Sequence, residues 1–191
     1  MSEVKEAYPA DGLDAFYQLY GRAMDEWASV EWGVSLCFAL ATLMPIKLAT
    51  AIFYSGQDFQ TKRDLVHAAL SETQLGVSEG QDIVDFIKAA VKMANQYSRA
   101  RAMIANRRIM WNESSRKAEL RGGDNWTSHD GERIDSAILD NIATNFEALH
   151  TIMVRTLSLT ATKNIYSAEK GLMMLEELPT SALAKPTLRN L

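Results

Sequence analysis

Residues 78–121 read SEGQDIVDFIKAAVKMANQYSRARAMIANRRIMWNESSRKAELR. Ile83, Ile87, Ala90, Ala94, Tyr97, Arg101, Ile104 and Arg108 recur three or four positions apart, the period of one helix face. Ser78-Glu79-Gly80-Gln81 has the spacing of a capping box, so this helix is expected to begin there. The stripe opens with isoleucines and ends with arginines. Either the helix emerges from the core near Arg101 and Arg108, or those arginines meet buried acids.

The same stretch concentrates charge. Nine of the 20 Lys and Arg residues lie between Lys88 and Arg121, opposed only by Glu113 and Glu119, which gives this segment +7. The whole chain carries −4, so the remainder carries −11. A basic segment in an acidic protein is a candidate site for an anionic partner. From Trp111 to Gly131 the helical period fails, and glycines and aromatics gather, with Trp126 and His129 among them. Such a length without a helix is usually functional or disordered. It admits a short hairpin with Lys117–Arg121 as one arm and a turn at Gly122-Gly123.

Outward from this stretch the chain reads as helices. Apolar positions from Phe16 through Trp27, Val30 and Phe38 predict a helix over about Leu13–Met44, stopped by Pro45. Shorter helices are expected over Pro45–Tyr54 and Phe59–Leu70, with Asp58 as the cap of the latter. Ile134, Ile138, Ile142, Phe146, Leu149, Met153 and Leu157 predict a long core helix over about 131–160, and a further helix is expected over Lys163–Leu178. The fold expected is an all-α bundle of five or six helices with one irregular or hairpin loop at 111–131. Residues 1–12 read as a mobile arm, 13–178 as a single domain and 179–191 as a tail.

Glu31 lies one turn from Trp27 on the apolar first helix. It is either an exposed edge carboxylate or a partly buried one awaiting an arginine of the fourth helix, and Arg101 is the expected partner of a structural Glu31–Arg101 ion pair. Cys37 sits in an apolar run and reads as a small buried hydrophobe. His67, His129 and His150 are scattered, which excludes metal-ligand spacing, and Glu147-x-x-His150 lacks the second such pair that a di-metal bundle requires. No phosphate loop, dinucleotide fingerprint or nucleophile elbow is present. No metal or cofactor is therefore expected. The most apolar stretch, Gly33–Met44, falls short of the roughly 20 residues a spanning helix needs, so no membrane partner is expected. Met1–Asp14 has no apolar leader core, which points to the cytoplasm, and the two Asn-x-Ser/Thr sequences, at Asn112 and Asn125, read as chance.

The order of elements resembles helical bacterial proteins related to the HEPN fold (higher eukaryotes and prokaryotes nucleotide-binding). Such proteins carry an early-helix pattern similar to Tyr20-Gly21-Arg22-Ala23-Met24-Asp25-Glu26-Trp27-Ala28-Ser29-Val30-Glu31, and a later helix ending in Arg-Asn, three variable residues and His. Here that motif falls on Arg107-Arg108-Ile109-Met110-Trp111-Asn112. Arg107 matches the family's arginine, Arg108 replaces its asparagine, and Asn112 replaces its histidine. The resemblance implies an RNA or nucleotide ligand, a homodimer with the site at its interface, and a toxin–antitoxin or defence setting. It places Arg107 and Asn112 at the catalytic positions. Asparagine only hydrogen-bonds, whereas histidine exchanges a proton near neutral pH, so little or no nuclease activity is expected. The nucleic-acid contacts expected are Arg101, Arg107, Arg108, Arg116 and Lys117, with Trp111 or Trp126 stacking on a base. The alternative is a non-enzymatic helical dimerisation module.

Overall fold

Thirty-three residues of continuous helix set the axis of the molecule. The computed structural model describes residues 10–73, 80–122, 133–161 and 166–185. Helix α1 runs over Ala10–Thr42, α2 over Ile46–Ser55, α3 over Phe59–Glu72 and α4 over Gln81–Ala105. Strands β1 (Arg108–Asn112) and β2 (Lys117–Arg121) form one antiparallel hairpin. Helices α5 (Ser136–Ala161) and α6 (Tyr166–Glu176) complete an all-α bundle.

The stripe on α1 buries Phe16, Ala23, Trp27, Val30, Val34 and Phe38, and its most extensive partner is α5. Arg22 bridges Asp140 at 2.9 Å and Glu147 at 2.8 Å. Trp27 meets the edge of Phe146 at 5.2 Å between centroids, and Gly33 lies against Met153. These contacts climb both helices together, so α1 and α5 lie side by side and parallel. On α5 the isoleucine stripe faces this seam, with Leu139, Ile142, Phe146 and Leu149 buried. Asp135 caps α5 by accepting from the Ile138 N–H at 2.9 Å.

The α1–α2 corner has an uncommon residue at its centre. Leu43 takes φ 55°. Its N–H donates to Leu40 O and that of Met44 donates to Ala39 O, both at 3.2 Å. This pairing is the Schellman helix stop, whose left-handed position is usually glycine. Pro45 then opens α2, as its sequence position implied. Asp58 caps α3 through the Thr61 N–H at 2.7 Å, and that bond holds its carboxyl below the ordinary range.

Three expectations change. The hairpin uses Lys117–Arg121, but its other arm is Arg108–Asn112 and the turn is at 113–116, not at Gly122-Gly123. Asn112 organises that turn, its Oδ1 accepting from the N–H groups of Ser114 (3.1 Å) and Ser115 (3.2 Å), while Arg116 takes the left-handed position at φ 51°. Second, α4 ends at Ala105, so Arg108 belongs to a strand rather than to the helix stripe. Third, the expected tail is docked as far as residue 185. Leu178 and Ala182 are buried, Tyr97 Oη donates to Pro179 O at 2.9 Å, and Asn145 Nδ2 donates to the carbonyls of Ala182 and Ala184, each at 2.9 Å. Residues 1–9, Ser78 and Glu79 of the expected capping box, Trp126 and His129 lie outside the described residues.

Candidate nucleic-acid interface

Directly opposed residues of an antiparallel pair share a face. In this hairpin Ile109 opposes Leu120 and Trp111 opposes Ala118. Leu120 and Ala118 are buried, so this face turns to the core. The other face carries Arg108 opposite Arg121, Met110 opposite Glu119, and Asn112 opposite Lys117. A two-way exchange between Leu120 and Ile134 (2.9 and 3.3 Å) ties β2 to the start of the last long helix.

The residues singled out in the sequence divide into two groups. Arg101, Arg108, Arg116 and Lys117 are exposed, at the end of α4 and along the hairpin. Arg107 is half-buried, its aliphatic stem against Gly122. Trp111 packs on the core, with its six-membered ring against Gly12 of α1. Asn112 has a structural task, since Nδ2 also donates to Glu119 Oε1 at 3.2 Å while Oδ1 holds the turn. Glu119 is buried and additionally bonded to Arg121. The hairpin's buried acid is therefore engaged within the hairpin, and the cations at its tip and at the end of α4 face solvent.

Arg101 and Glu31 are not brought together. Buried Tyr97, Ala100 and Ile104 define the inner face of α4 and leave Arg101 outside it. Glu31 instead pairs with Lys62 of α3, Nζ to Oε2 at 2.5 Å, and accepts from Trp27 Nε1 at 2.8 Å. Glu31 is partly enclosed, as expected, but the expected arginine of the fourth helix is corrected to a lysine of α3. Lys62 is only 7% exposed. Its ammonium lies 4.8 Å from the Tyr54 ring centroid and 5.8 Å from that of Phe53, within cation–π range. Burial, aided by the Glu31 charge, raises the Tyr54 phenol above its ordinary value, so it stays protonated. Lys62 was legible in principle: it stands within the Phe59–Val66 apolar stripe of α3, where a lysine needs a partner.

The remaining polar candidates are structural. The Cys37 thiol is fully buried and pushed up to about 12 by that burial, so it does not act as a thiolate. His150 stands at the edge of the Trp32 ring, its buried Nε2 without a partner, and burial lowers its pKa against the opposing pull of Glu147. Among the described residues, no group of three or more His, Cys, Asp or Glu is placed to hold a metal ion. Between α4 and α6 lies an open cleft of about 340 Å³ with Met93 and Leu175 in its lining and Lys92 and Glu176 among its polar groups.

Fold and site together define a helical bundle bearing a cationic β-hairpin at the end of its fourth helix. Comparison with protein-family models, with curated proteins and with solved structures gives no match.

Proposed function

We propose that this chain is a HEPN-like RNA-binding protein with little or no nuclease activity, and that it holds phosphate through the end of α4 and the tip of the β-hairpin. The observation that supports this reading is the exposure of Arg101, Arg116 and Lys117 in a protein of net charge −4, while Glu119, the acid buried in the same hairpin, is engaged by Arg121 and Asn112. Cations left to solvent on an otherwise acidic surface contact phosphate without reading bases, so binding follows salt more than sequence. Cleavage through a 2′-hydroxyl needs one group to take a proton and another to give one. Arginine remains charged and the Asn112 amide is committed to the turn, which leaves this site able to bind but poor at proton transfer. Any homodimer would form around the same segment, as the resemblance implies.

Filter retention of a labelled single-stranded RNA, run alongside a gel for its cleavage, tests both halves of the proposal. Retention that weakens with salt and with Lys117→Gln, without cleavage, is the result expected. Retention indifferent to both changes contradicts the binding surface. Cleavage that persists in a His129→Ala variant contradicts the loss of activity.

A further inference from the structure

Leu43, Met44, Ile46 and Leu48 are exposed by 66%, 37%, 58% and 53% in six consecutive residues that also include Pro45 and Lys47. Single exposed hydrophobes are ordinary, whereas a contiguous group marks a surface that is covered in use. The corner is an apex rather than a groove, because the chain bends by 119° between α1 and α2.

Three features say what covers it. First, a bulky residue occupies the left-handed position of the helix stop, where glycine would fit without strain, and its side chain is the most exposed of the four. Local strain retained for the sake of a projecting leucine points to use of that leucine. Second, the backbone at the apex is satisfied in part: among the described residues the N–H groups of Ile46 and Lys47, at the start of α2, have no partner, and Pro45 supplies no side-chain cap. The N–H groups of Leu43 and Met44 are bonded within the helix stop, Pro45 has none, and those of Leu48 and Ala49 both reach Pro45 O, at 2.9 and 3.0 Å. The Thr42 hydroxyl donates to Phe38 O at 2.8 Å. N–H groups left at the start of α2 suit the polar interfacial layer of a leaflet rather than its hydrocarbon, where each would need a partner. Third, Lys47 is the only charged side chain from Trp32 to Gln57. A second copy or another protein partner would find here a single charge and few of the side-chain hydrogen bonds that interfaces normally carry.

We propose that the α1–α2 corner is a peripheral membrane-docking wedge: Leu43, Met44, Ile46 and Leu48 enter the interfacial region of an anionic lipid leaflet, and Lys47 remains at the level of its phosphates. This is docking onto a surface: among the described residues no single helix is long and apolar enough to cross a membrane, and α1, which with α2 forms the one bent pair that passes by length and composition, gives its apolar stripe to the bundle core.

The test is sedimentation of the full chain with vesicles of phosphatidylcholine alone and of an equimolar phosphatidylcholine–phosphatidylserine mixture. Binding is expected on the mixed vesicles and weak on the neutral ones. Ile46→Ser with Leu48→Ser lowers the partition coefficient at least about tenfold, from the apolar area removed. Lys47→Glu removes most of the preference for the anionic vesicles. Met173→Ser, an exposed apolar side chain on α6, leaves binding unchanged. Thermal melts of all variants establish that each is folded. Absence of binding to either vesicle by the folded wild type overturns the proposal, as does binding indifferent to the Ile46/Leu48 pair. A concentration-dependent dimer abolished by that same pair assigns the corner to a second copy, and equally overturns it.

Discussion

Replacing Lys62 by Met removes one charge from a site that encloses two. The Lys62 side chain is 9% exposed and that of Glu31 16%, so neither is readily rehydrated after its partner goes. Lys62→Met keeps the aliphatic stem against Phe53 and Tyr54 and leaves Glu31 with the Trp27 indole as its one described donor. Breaking a buried pair on one side costs about 3–5 kcal/mol. The remaining solvent access of Glu31 places this case near the lower figure, at about 3 kcal/mol. Glu31→Gln keeps an acceptor for Trp27 Nε1 and leaves Lys62 over two aromatic rings, so it is expected to cost less, about 2 kcal/mol. The double variant holds no unpaired charge and is expected within about 1 kcal/mol of wild type, since replacement of a whole buried pair is often close to neutral. Urea unfolding of the four proteins, followed by tryptophan fluorescence and by circular dichroism, gives the cycle. Single losses below about 0.5 kcal/mol, the range of ordinary surface changes, would refute the enclosure of this pair. So would simple additivity of the two singles to within about 0.5 kcal/mol.

Other substitutions test neighbouring parts of the account. Leu43→Gly relieves the left-handed strain and is expected to stabilise the fold by about 0.5–1 kcal/mol after the entropy glycine loses, read as a rise in Tm. A Cβ at Gly171 would overlap Thr156 Oγ1 and stand 2.8 Å from Phe86 Cε2, so Gly171→Ala is expected to cost about 2–3 kcal/mol in a urea melt. At Gly33 the closest atom, at 2.6 Å, is the terminal methyl of Met153, which can swing away, and Gly33→Ala is expected within about 1 kcal/mol of wild type. His150 has a depressed pKa in the fold, so the unfolded chain binds its proton more readily. Its contribution is fully present above the ordinary imidazole value of 6.5, begins to fall as pH drops through 6.5, and is lost below the depressed folded value. Stability measured across that interval falls with acid, and His150→Phe is expected to flatten the slope.

The helices were legible because their stripes are long and clean. The run from Phe16 to Phe38 and the isoleucine series on α5 each leave one consistent inner face. Pro45 and Asp58 marked boundaries by mechanisms that do not depend on the rest of the fold. The hairpin was half legible: Lys117–Arg121 carries strand alternation, but its turn has no glycine, and the Asn112 cap with Arg116 in a left-handed conformation gives a weaker signal than Gly122-Gly123. The periodic stripe on α4 was extended too far because Arg101 and Arg108 happen to fit its spacing; Ala100 occupies the inner position that Arg101 was given. The partner of Glu31 depends on how α3 meets α1, which periodicity does not encode, although a lysine inside an apolar stripe was a clue. The docked segment up to residue 185 was hidden by composition. Its anchors are backbone carbonyls of Pro179, Ala182 and Ala184, which accept from Tyr97 and Asn145 and leave no pattern in the sequence.

The central claim is that exposed cations at the end of α4 and on the hairpin hold RNA phosphate, and its most direct measurement is the slope of log K against log salt concentration. Each single-strand phosphate neutralised by a cation adds about 0.7 to the magnitude of that slope. The comparison is between wild type and a variant carrying Arg101→Gln, Arg116→Gly and Lys117→Gln. Arg116→Gly also removes left-handed strain, so the variant is not expected to lose binding through unfolding. The expected result is measurable wild-type binding with a negative slope, and a variant slope shallower by about 2, because three cations no longer meet phosphate. A folded wild type that does not bind RNA, or a folded variant with unchanged affinity and slope, contradicts it.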